Sequence, residues 1–89
     1  MKYIFTVAFE VDRALSQTDP DVRWITRLPG YLGLERVPGQ GARYELTFDV
    51  EGGSTRDARD AADEQLIEYQ NALAAYHPRL LAEPVASAA

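Results

Sequence analysis

The sequence predicts an α+β fold, in which two helices cover one face of a four-stranded antiparallel sheet. Three observations support this prediction. The opening segment places large apolar side chains at every second position, as a strand does. Two further segments of this kind flank a glycine-rich turn, and one long segment has the apolar periodicity of a helix.

The first predicted strand has one face for the core and one that the helices leave uncovered. The core face carries aromatic and β-branched side chains, at Tyr3, Phe5, Val7, Phe9 and Val11. The opposite face carries Ile4, Thr6 and Ala8, because successive side chains of a strand alternate.

A short helix is predicted from Pro20 to about Leu28. Asp19 supplies a side-chain acceptor at the cap, and proline is favoured at the first helical position. Pro29 and Gly30 end the helix, because proline cannot continue it and glycine tolerates the conformation that follows a helix end.

The central hairpin is predicted as strands 31–37 and 42–50, joined by an odd-length turn. A connection that closes Val37 on Gly41 pairs Leu34 with Tyr44 and Leu32 with Leu46, and so keeps the apolar faces together. It also places Glu35 opposite Arg43 on the outer face. We expect a positive φ angle at Gly41 or Gln40.

This register predicts which residues lie on the face of the sheet away from the helices. They are Ile4, Thr6, Ala8, Tyr31, Gly33, Glu35, Val37, Arg43, Glu45, Thr47 and Asp49, of which Ile4, Thr6, Ala8, Tyr31, Gly33 and Val37 are the candidates for a contact face. The set is half apolar, so it is either a simply solvated face or a contact face for a second sheet. Gly33 lies in the middle of its strand, where a missing side chain permits close approach by a partner.

A long helix and a last strand complete the predicted order. Ser54 caps the helix, and its apolar stripe is Ala58, Ala62, Leu66, Tyr69, Leu73 and Tyr76. The last strand, 79–85, contains Pro84 and is therefore placed at an edge. Residues 86–89 are predicted to be a frayed tail. The order βαββαβ is that of a ferredoxin-like sandwich, formed by residues 1–89 as a single domain.

Composition excludes several classes of function. A net charge of −5 with scattered basic residues argues against binding to nucleic acid. No apolar run approaches the roughly 20 residues of a membrane span, and the opening segment alternates and carries acidic residues, unlike a signal peptide. We therefore predict a cytoplasmic protein. The absence of cysteine excludes disulfides and thiolate chemistry.

Candidate site residues are few. The glycines lack the lysine and hydroxyl residue of a phosphate-binding loop, so they are interpreted as turn residues. Trp24, Tyr69, Tyr76 and His77 are the candidates for a ligand pocket between the helices and the sheet. His77 is the only histidine, and its position at a helix end also suits a purely structural role. No catalytic residue, metal site or cofactor is predicted.

The run PGYLGLERV, followed by a glycine turn, YELTFDV and an alanine-rich helix, resembles the middle of dimeric α+β barrel proteins such as antibiotic-biosynthesis-monooxygenase-like domains. The similar segment is 28–76. The resemblance implies two ferredoxin-like protomers whose sheets pack face to face, with a pocket between helices and sheet. It implies no catalytic residue here.

Two functions follow as hypotheses. The first is a non-enzymatic, homodimeric module that binds a protein partner or a small hydrophobic ligand. The alternative is a cofactor-free enzyme of the dimeric α+β barrel kind, acting on a hydrophobic aromatic or polyketide-like substrate. An enclosed pocket favours the enzyme, whereas a filled core with a flat apolar face favours the binding module.

Overall fold

A computed structural model describes residues 1–39 and 41–87, and its class is α+β, as predicted. The elements in chain order are β1 (Lys2–Glu10), α1 (Pro20–Ile25), β2 (Tyr31–Arg36), β3 (Arg43–Glu51), α2 (Thr55–Ala72), a 3₁₀ turn (Ala74–Tyr76), β4 (Arg79–Leu80) and β5 (Val85–Ser87). All strand pairs are antiparallel.

The sheet has five strands in the order β2-β3-β1-β4, with β5 also paired to β1. The sequence predicted four strands, because 79–85 was taken as one. The chain instead leaves β1 after Leu80 and rejoins it at Val85, directly after Pro84, which has no N–H to donate to a ladder. The predicted edge position is confirmed, because β4 and β5 both lie beside β1 on the side away from β3.

The prediction of a frayed tail from residue 86 is wrong for its first two residues. Ala86 pairs with Phe5, and the next residue pairs with Ile4. Backbone pairing to the central strand holds this segment, although its sequence carries little apolar surface. Residues 88 and 89 of the predicted tail lie outside the described part of the chain.

One hydrophobic core lies between the sheet and the two helices. The predicted stripe of α2 is buried along its whole length, and so are Val22 and Ile25 of α1. The sheet contributes Phe5, Val7, Phe9, Val11, Tyr44, Leu46, Phe48 and Val50. Because both helices bury their apolar side chains in this one cluster, they cover the same face of the sheet.

The helix caps follow the sequence signals, but α1 is shorter than predicted. The Asp19 side chain accepts a hydrogen bond from the Asp21 N–H at 2.8 Å, and Ser54 Oγ accepts one from the Asp57 N–H at 3.2 Å. After Ile25 the chain forms tighter turns, in which the N–H groups of Arg27 and Leu28 bond three residues back, to Trp24 at 2.9 Å and to Ile25 at 3.2 Å.

The hairpin loop is odd in length, as predicted, but longer. The Val37 N–H donates to the Arg43 carbonyl at 2.9 Å, so the loop is 38–42 rather than 38–40. Leu34 therefore faces Leu46, and Glu35 faces Glu45 instead of Arg43. The apolar faces stay together because a shift of two residues preserves the side of the sheet. Gly41 has the predicted positive φ, 66°, while Gln40 lies outside the described residues.

A bulge at Leu32 overturns the predicted faces of two residues. Tyr31 pairs with Phe48 and packs against the core, whereas we predicted it on the outer face. Leu32, predicted on the core face, is 51% exposed. The cause is that two contacts set different registers between β2 and β3. The 2.8 Å backbone hydrogen bond that anchors Gly30 to Asp49 sets one, and the loop sets another that differs by one residue. Leu32 is the extra residue on β2 that accommodates this difference.

Gly30 provides a direct test of this anchor. Its φ is 81°, and a Cβ at this position would overlap the Asp49 carbonyl oxygen. Gly39 has a similar φ of 73° but open space around it, so it is a matched control. We expect Gly39→Ala to lower the free energy of unfolding by about 1 kcal/mol and Gly30→Ala by roughly 3 kcal/mol. Urea unfolding measures both, and equal effects would contradict the anchor.

Candidate functional site

The four residues proposed for a pocket are not brought together around one cavity. Tyr69 and Tyr76 are core residues, each 2% exposed, while Trp24 is 54% exposed on α1. His77 lies at the surface after the 3₁₀ turn. The apolar cleft that Tyr69 lines has a cavity volume of about 10 Å³, space for one water molecule at most. Aromatic side chains fill the volume that a ligand would need.

Tyr69 is buried with its hydroxyl group unsatisfied. Its ring packs 5.4 Å from that of Phe48, and its hydroxyl has no hydrogen-bond partner among the described residues. Gln65 lies one turn away, and its Nε2 donates to the Pro29 carbonyl at 2.9 Å. Burial raises the pKa of Tyr69 to about 12, although the nearby Gln65 side chain acts in the opposite direction. The hydroxyl therefore stays protonated at neutral pH, and nothing prepares it as a base or nucleophile.

Tyr76 has the same burial but a satisfied hydroxyl. Its O–H donates to Asp19 Oδ2 at 2.6 Å, while Asp19 Oδ1 caps α1. The bond from Tyr76, followed by that from the Asp21 backbone, lowers the pKa of Asp19. The guanidinium of Arg13 lies 4.2 Å from the centre of the Tyr76 ring. Asp19 thus joins the start of α1 to the turn that precedes β4.

His77 pairs with Asp12, a residue that the sequence analysis did not select. Its Nδ1 lies 2.7 Å from Asp12 Oδ2, and this hydrogen bond is the main reason why the pKa of Asp12 is lowered. His77 has a φ of 51°, the only positive value at a described residue other than glycine. Arg13 Nη1 donates to Asp12 Oδ1 at 2.9 Å and to the Ala75 carbonyl at 3.1 Å.

The pairing of the first strand with the last one would have indicated this pair, had its register been known. Glu10 of β1 is paired with Arg79 of β4. Continuing this antiparallel register by two residues in each direction brings Asp12 opposite His77. The sequence alone did not set the register between two segments so far apart, and therefore did not reveal the pair. An oriented imidazole suits proton transfer, but this one lies on an open surface rather than in a cleft.

The outer face is the second candidate, and we define it as the side of the sheet away from the helices. Ile4, Thr6 and Ala8 lie there as predicted, half-buried by their neighbours. Val37 is also half-buried, and follows Gly33 and Glu35 on this side. Tyr31, predicted here, lies on the core side. The bulge adds Leu32, which lines an open hollow together with Thr6, Gly33 and Thr47.

Gly33 lies in this hollow with nothing above it. A Cβ built there would meet no atom within 4 Å. The hydroxyl oxygens of Thr6 and Thr47 lie 3.4 Å apart beside it. At the edge, Val85 adds a side chain that is 63% exposed. The outer face is therefore open, weakly polar at its centre, and apolar at several points along its length.

The outer face carries two adjacent rows of charged residues at one end. Glu10 pairs with Arg43 Nε at 3.2 Å and with Arg79 Nη2 at 2.8 Å, and Glu45 follows Arg43 by two residues along β3, in the next row. Glu35 and Glu45 face each other across β2 and β3, and neither forms an ion pair within 1–39 and 41–87. Like charges directly opposite each other destabilise a sheet.

No group of three or more metal-ligating side chains occurs within the described residues. Neither α1 nor α2 combines the length and the apolarity that crossing a bilayer requires, among the residues described.

The two buried tyrosines form a matched pair for a test of hydroxyl satisfaction. We expect Tyr69→Phe to raise the free energy of unfolding by about 1 kcal/mol, because it removes an unsatisfied buried hydroxyl. Tyr76→Phe should lower it, because Asp19 loses a donor. Urea unfolding at neutral pH measures both, and a change in the same direction for the two variants would contradict the assigned bonding.

The same variants test the pH dependence of stability. Because the pKa of Asp19 is lowered in the folded state, its contribution is present above its ordinary pKa and is lost as the pH falls through the lowered value. Tyr76→Phe removes the largest cause of the lowering. We therefore expect a smaller loss of stability between about pH 5 and pH 2 in this variant than in the wild type. Tyr69→Phe should retain the wild-type loss, and an unchanged slope in Tyr76→Phe would contradict the linkage.

The sequence matches no protein-family model, and no curated protein or solved structure shows significant similarity to the chain. The resemblance of segment 28–76 to dimeric α+β barrel proteins therefore stays a prediction, and the function has to be inferred from the protein's own surfaces.

Proposed function

We propose that the protein is a non-enzymatic, homodimeric, ferredoxin-like binding module whose protomers associate through the outer face. The observation that carries this proposal is the open outer face itself. The helices leave it uncovered, and Ile4, Ala8, Leu32 and Val85 place apolar surface along it. Apolar side chains spread over one such face, around a position without a side chain, favour contact with a second surface.

The ferredoxin-like assignment is part of the proposal. It is supported by the order of the elements, by the strand order β2-β3-β1-β4 and by two helices that share one core. The division of the last predicted strand into β4 and β5 is a variation at the edge. This variation does not change the arrangement of β1, β2 and β3, which form most of the outer face and are arranged as in a ferredoxin-like sheet.

The dimensions of the outer face suit a protein partner better than a small ligand. The nine-residue strands β1 and β3 run about 30 Å at roughly 3.3 Å per residue. The longest Cα extent of the molecule is 37 Å, so these strands run along most of its length and offer an extended surface of the kind that a protein partner covers. The hollow over Gly33 is open and lined mainly by polar side chains, whereas a small-ligand site is mostly apolar and encloses its ligand.

A second copy of the chain is the occupant that we propose. In a two-fold dimer the same patch faces itself, so the patch has to be self-complementary. The Glu10–Arg43–Arg79 group and the facing pair Glu35–Glu45 lie in adjacent rows of one face. Because opposite charges lie this close together, a second copy of the same face can bring an arginine of one protomer near a glutamate of the other.

One observation supports the enzymatic alternative. The Asp12–His77 pair has the geometry in which a carboxylate orients an imidazole, and His77 has a left-handed backbone conformation of the kind often found at functional sites. A hydrophobic substrate would need a cavity next to this imidazole. The described core is instead filled, by Tyr69 and Tyr76 among others, and we therefore favour the binding module.

The dimer is tested by replacing one isoleucine with glutamate on the outer face and, in a separate variant, one isoleucine with glutamate on the helical side. Ile4→Glu places a carboxylate on the outer face, and should weaken self-association by about tenfold or more. Ile67→Glu is the control, because Ile67 is 55% exposed on α2, away from the sheet. Sedimentation equilibrium measures the dissociation constant of each variant. A monomeric wild type at micromolar concentration, or equal effects of the two substitutions, would contradict the outer-face dimer.

A further inference from the structure

Helix α1 presents an exposed cationic and aromatic surface on the side opposite its buried one. Val22 and Ile25 enter the core, while Arg23 and Trp24 are exposed between them. Arg27 follows one turn later. These three residues, with Pro20, line one open hollow, and we call this surface the arginine–tryptophan patch.

The two arginines of the patch have no partner within the protomer. Among the described residues neither side chain forms a hydrogen bond or an ion pair, although the chain carries 14 acidic residues and a net charge of −5. Arg13, Arg43, Arg59 and Arg79 each pair with a carboxylate. Two guanidinium groups one turn apart repel each other, at a small cost in stability. An anion placed between them would convert this repulsion into attraction.

Trp24 adds a second observation of a different kind. Its indole is 54% exposed, the largest aromatic surface that the protein leaves uncovered. Tryptophan and arginine are the residues most enriched among those that dominate binding energy at protein interfaces. The indole and the two guanidinium groups line the same hollow, so together they offer an apolar contact and two charge-assisted hydrogen-bonding groups.

We propose that the arginine–tryptophan patch binds an acidic peptide segment, with carboxylates on Arg23 and Arg27 and an apolar side chain on Trp24. All four residues that line the hollow are exposed, so a small anion bound there would stay largely hydrated and be held weakly. A nucleic acid needs more cations than two, since its affinity comes from neutralising many phosphates. An extended peptide can contact all three side chains at once.

A second copy of the chain is a poorer occupant. It offers an acidic hollow lined by Asp49, Glu51, Glu64 and Glu68, but this contact would join two different surfaces and so build rings or open chains of protomers rather than the two-fold dimer that we propose. The patch also lies across the core from the outer face. It therefore stays accessible in the dimer that we propose, and its binding does not depend on that dimer.

The proposal is tested with Trp24 as the reporter, because it is the only tryptophan in the chain. The full-length protein is titrated with a blocked peptide of sequence Glu-Glu-Leu-Glu-Glu-Leu-Glu-Glu, which is free of aromatic residues. We expect a saturable change in indole fluorescence that weakens with salt. Arg23→Glu/Arg27→Glu should reduce the affinity by about tenfold or more. Calorimetry follows Trp24→Ala, which should also weaken binding and which has no fluorescence.

Arg56→Glu is the matched control, because Arg56 is exposed on α2 and also has no ion pair among the described residues. It should bind the peptide as the wild type does, and circular dichroism checks that every variant is folded. Four outcomes would overturn the proposal: no saturable change in the wild type, equal weakening by Arg56→Glu, tighter binding of a short oligothymidine, or a fluorescence change that follows protein concentration without peptide. The last outcome assigns the patch to a second copy.

Discussion

Strand β1 is hydrogen-bonded to β3 on one side and to β4 and β5 on the other. Its alternation places Phe5, Val7 and Phe9 in the core and Ile4, Thr6 and Ala8 on the outer face. A shift of its register by one residue would exchange these two sets, exposing aromatic rings and burying Thr6. Both the core and the candidate dimer face therefore depend on this one ladder, as does the position of Asp12 beyond its end.

Two buried tyrosines differ in the surroundings of their hydroxyl groups, although both belong to the apolar stripe that runs along α2 and the 3₁₀ turn. Both rings complete the core at equal burial. Tyr76 lies at the end of the sandwich, where Asp19 is available, and its hydroxyl joins two elements. Tyr69 lies in the middle, where packing against Phe48 leaves its hydroxyl without a partner. Dense packing at that point takes precedence over hydrogen bonding, and it also removes the volume that a ligand would occupy.

Periodicity and cap signals predicted what depends on local sequence. The faces of β1, the stripe of α2, and the caps at Asp19 and Ser54 all follow from such signals. The bulge at Leu32 did not, because it results from two distant anchors, Gly30 on Asp49 and the loop closed at Val37, whose registers differ by one residue. The apolar and polar pattern of a strand selects between its two faces but does not distinguish registers two residues apart. It therefore did not predict that Glu35 faces Glu45. The Asp12–His77 pair likewise depends on a register between the two ends of the chain.

The two surfaces that we propose for binding lie on opposite sides of the same core. Val22 and Ile25 fix α1 against the sheet, so the arginine–tryptophan patch is held rigidly with respect to the outer face. In a dimer joined through the outer faces, each protomer would direct its patch away from the other. Two patches on one rigid particle bind a partner with two acidic segments far more tightly than either patch alone, provided that the partner spans the distance. Dimerisation would then increase the affinity of the patch, although the dimer interface does not contact it. Weak binding by each single patch would be enough to hold such a partner.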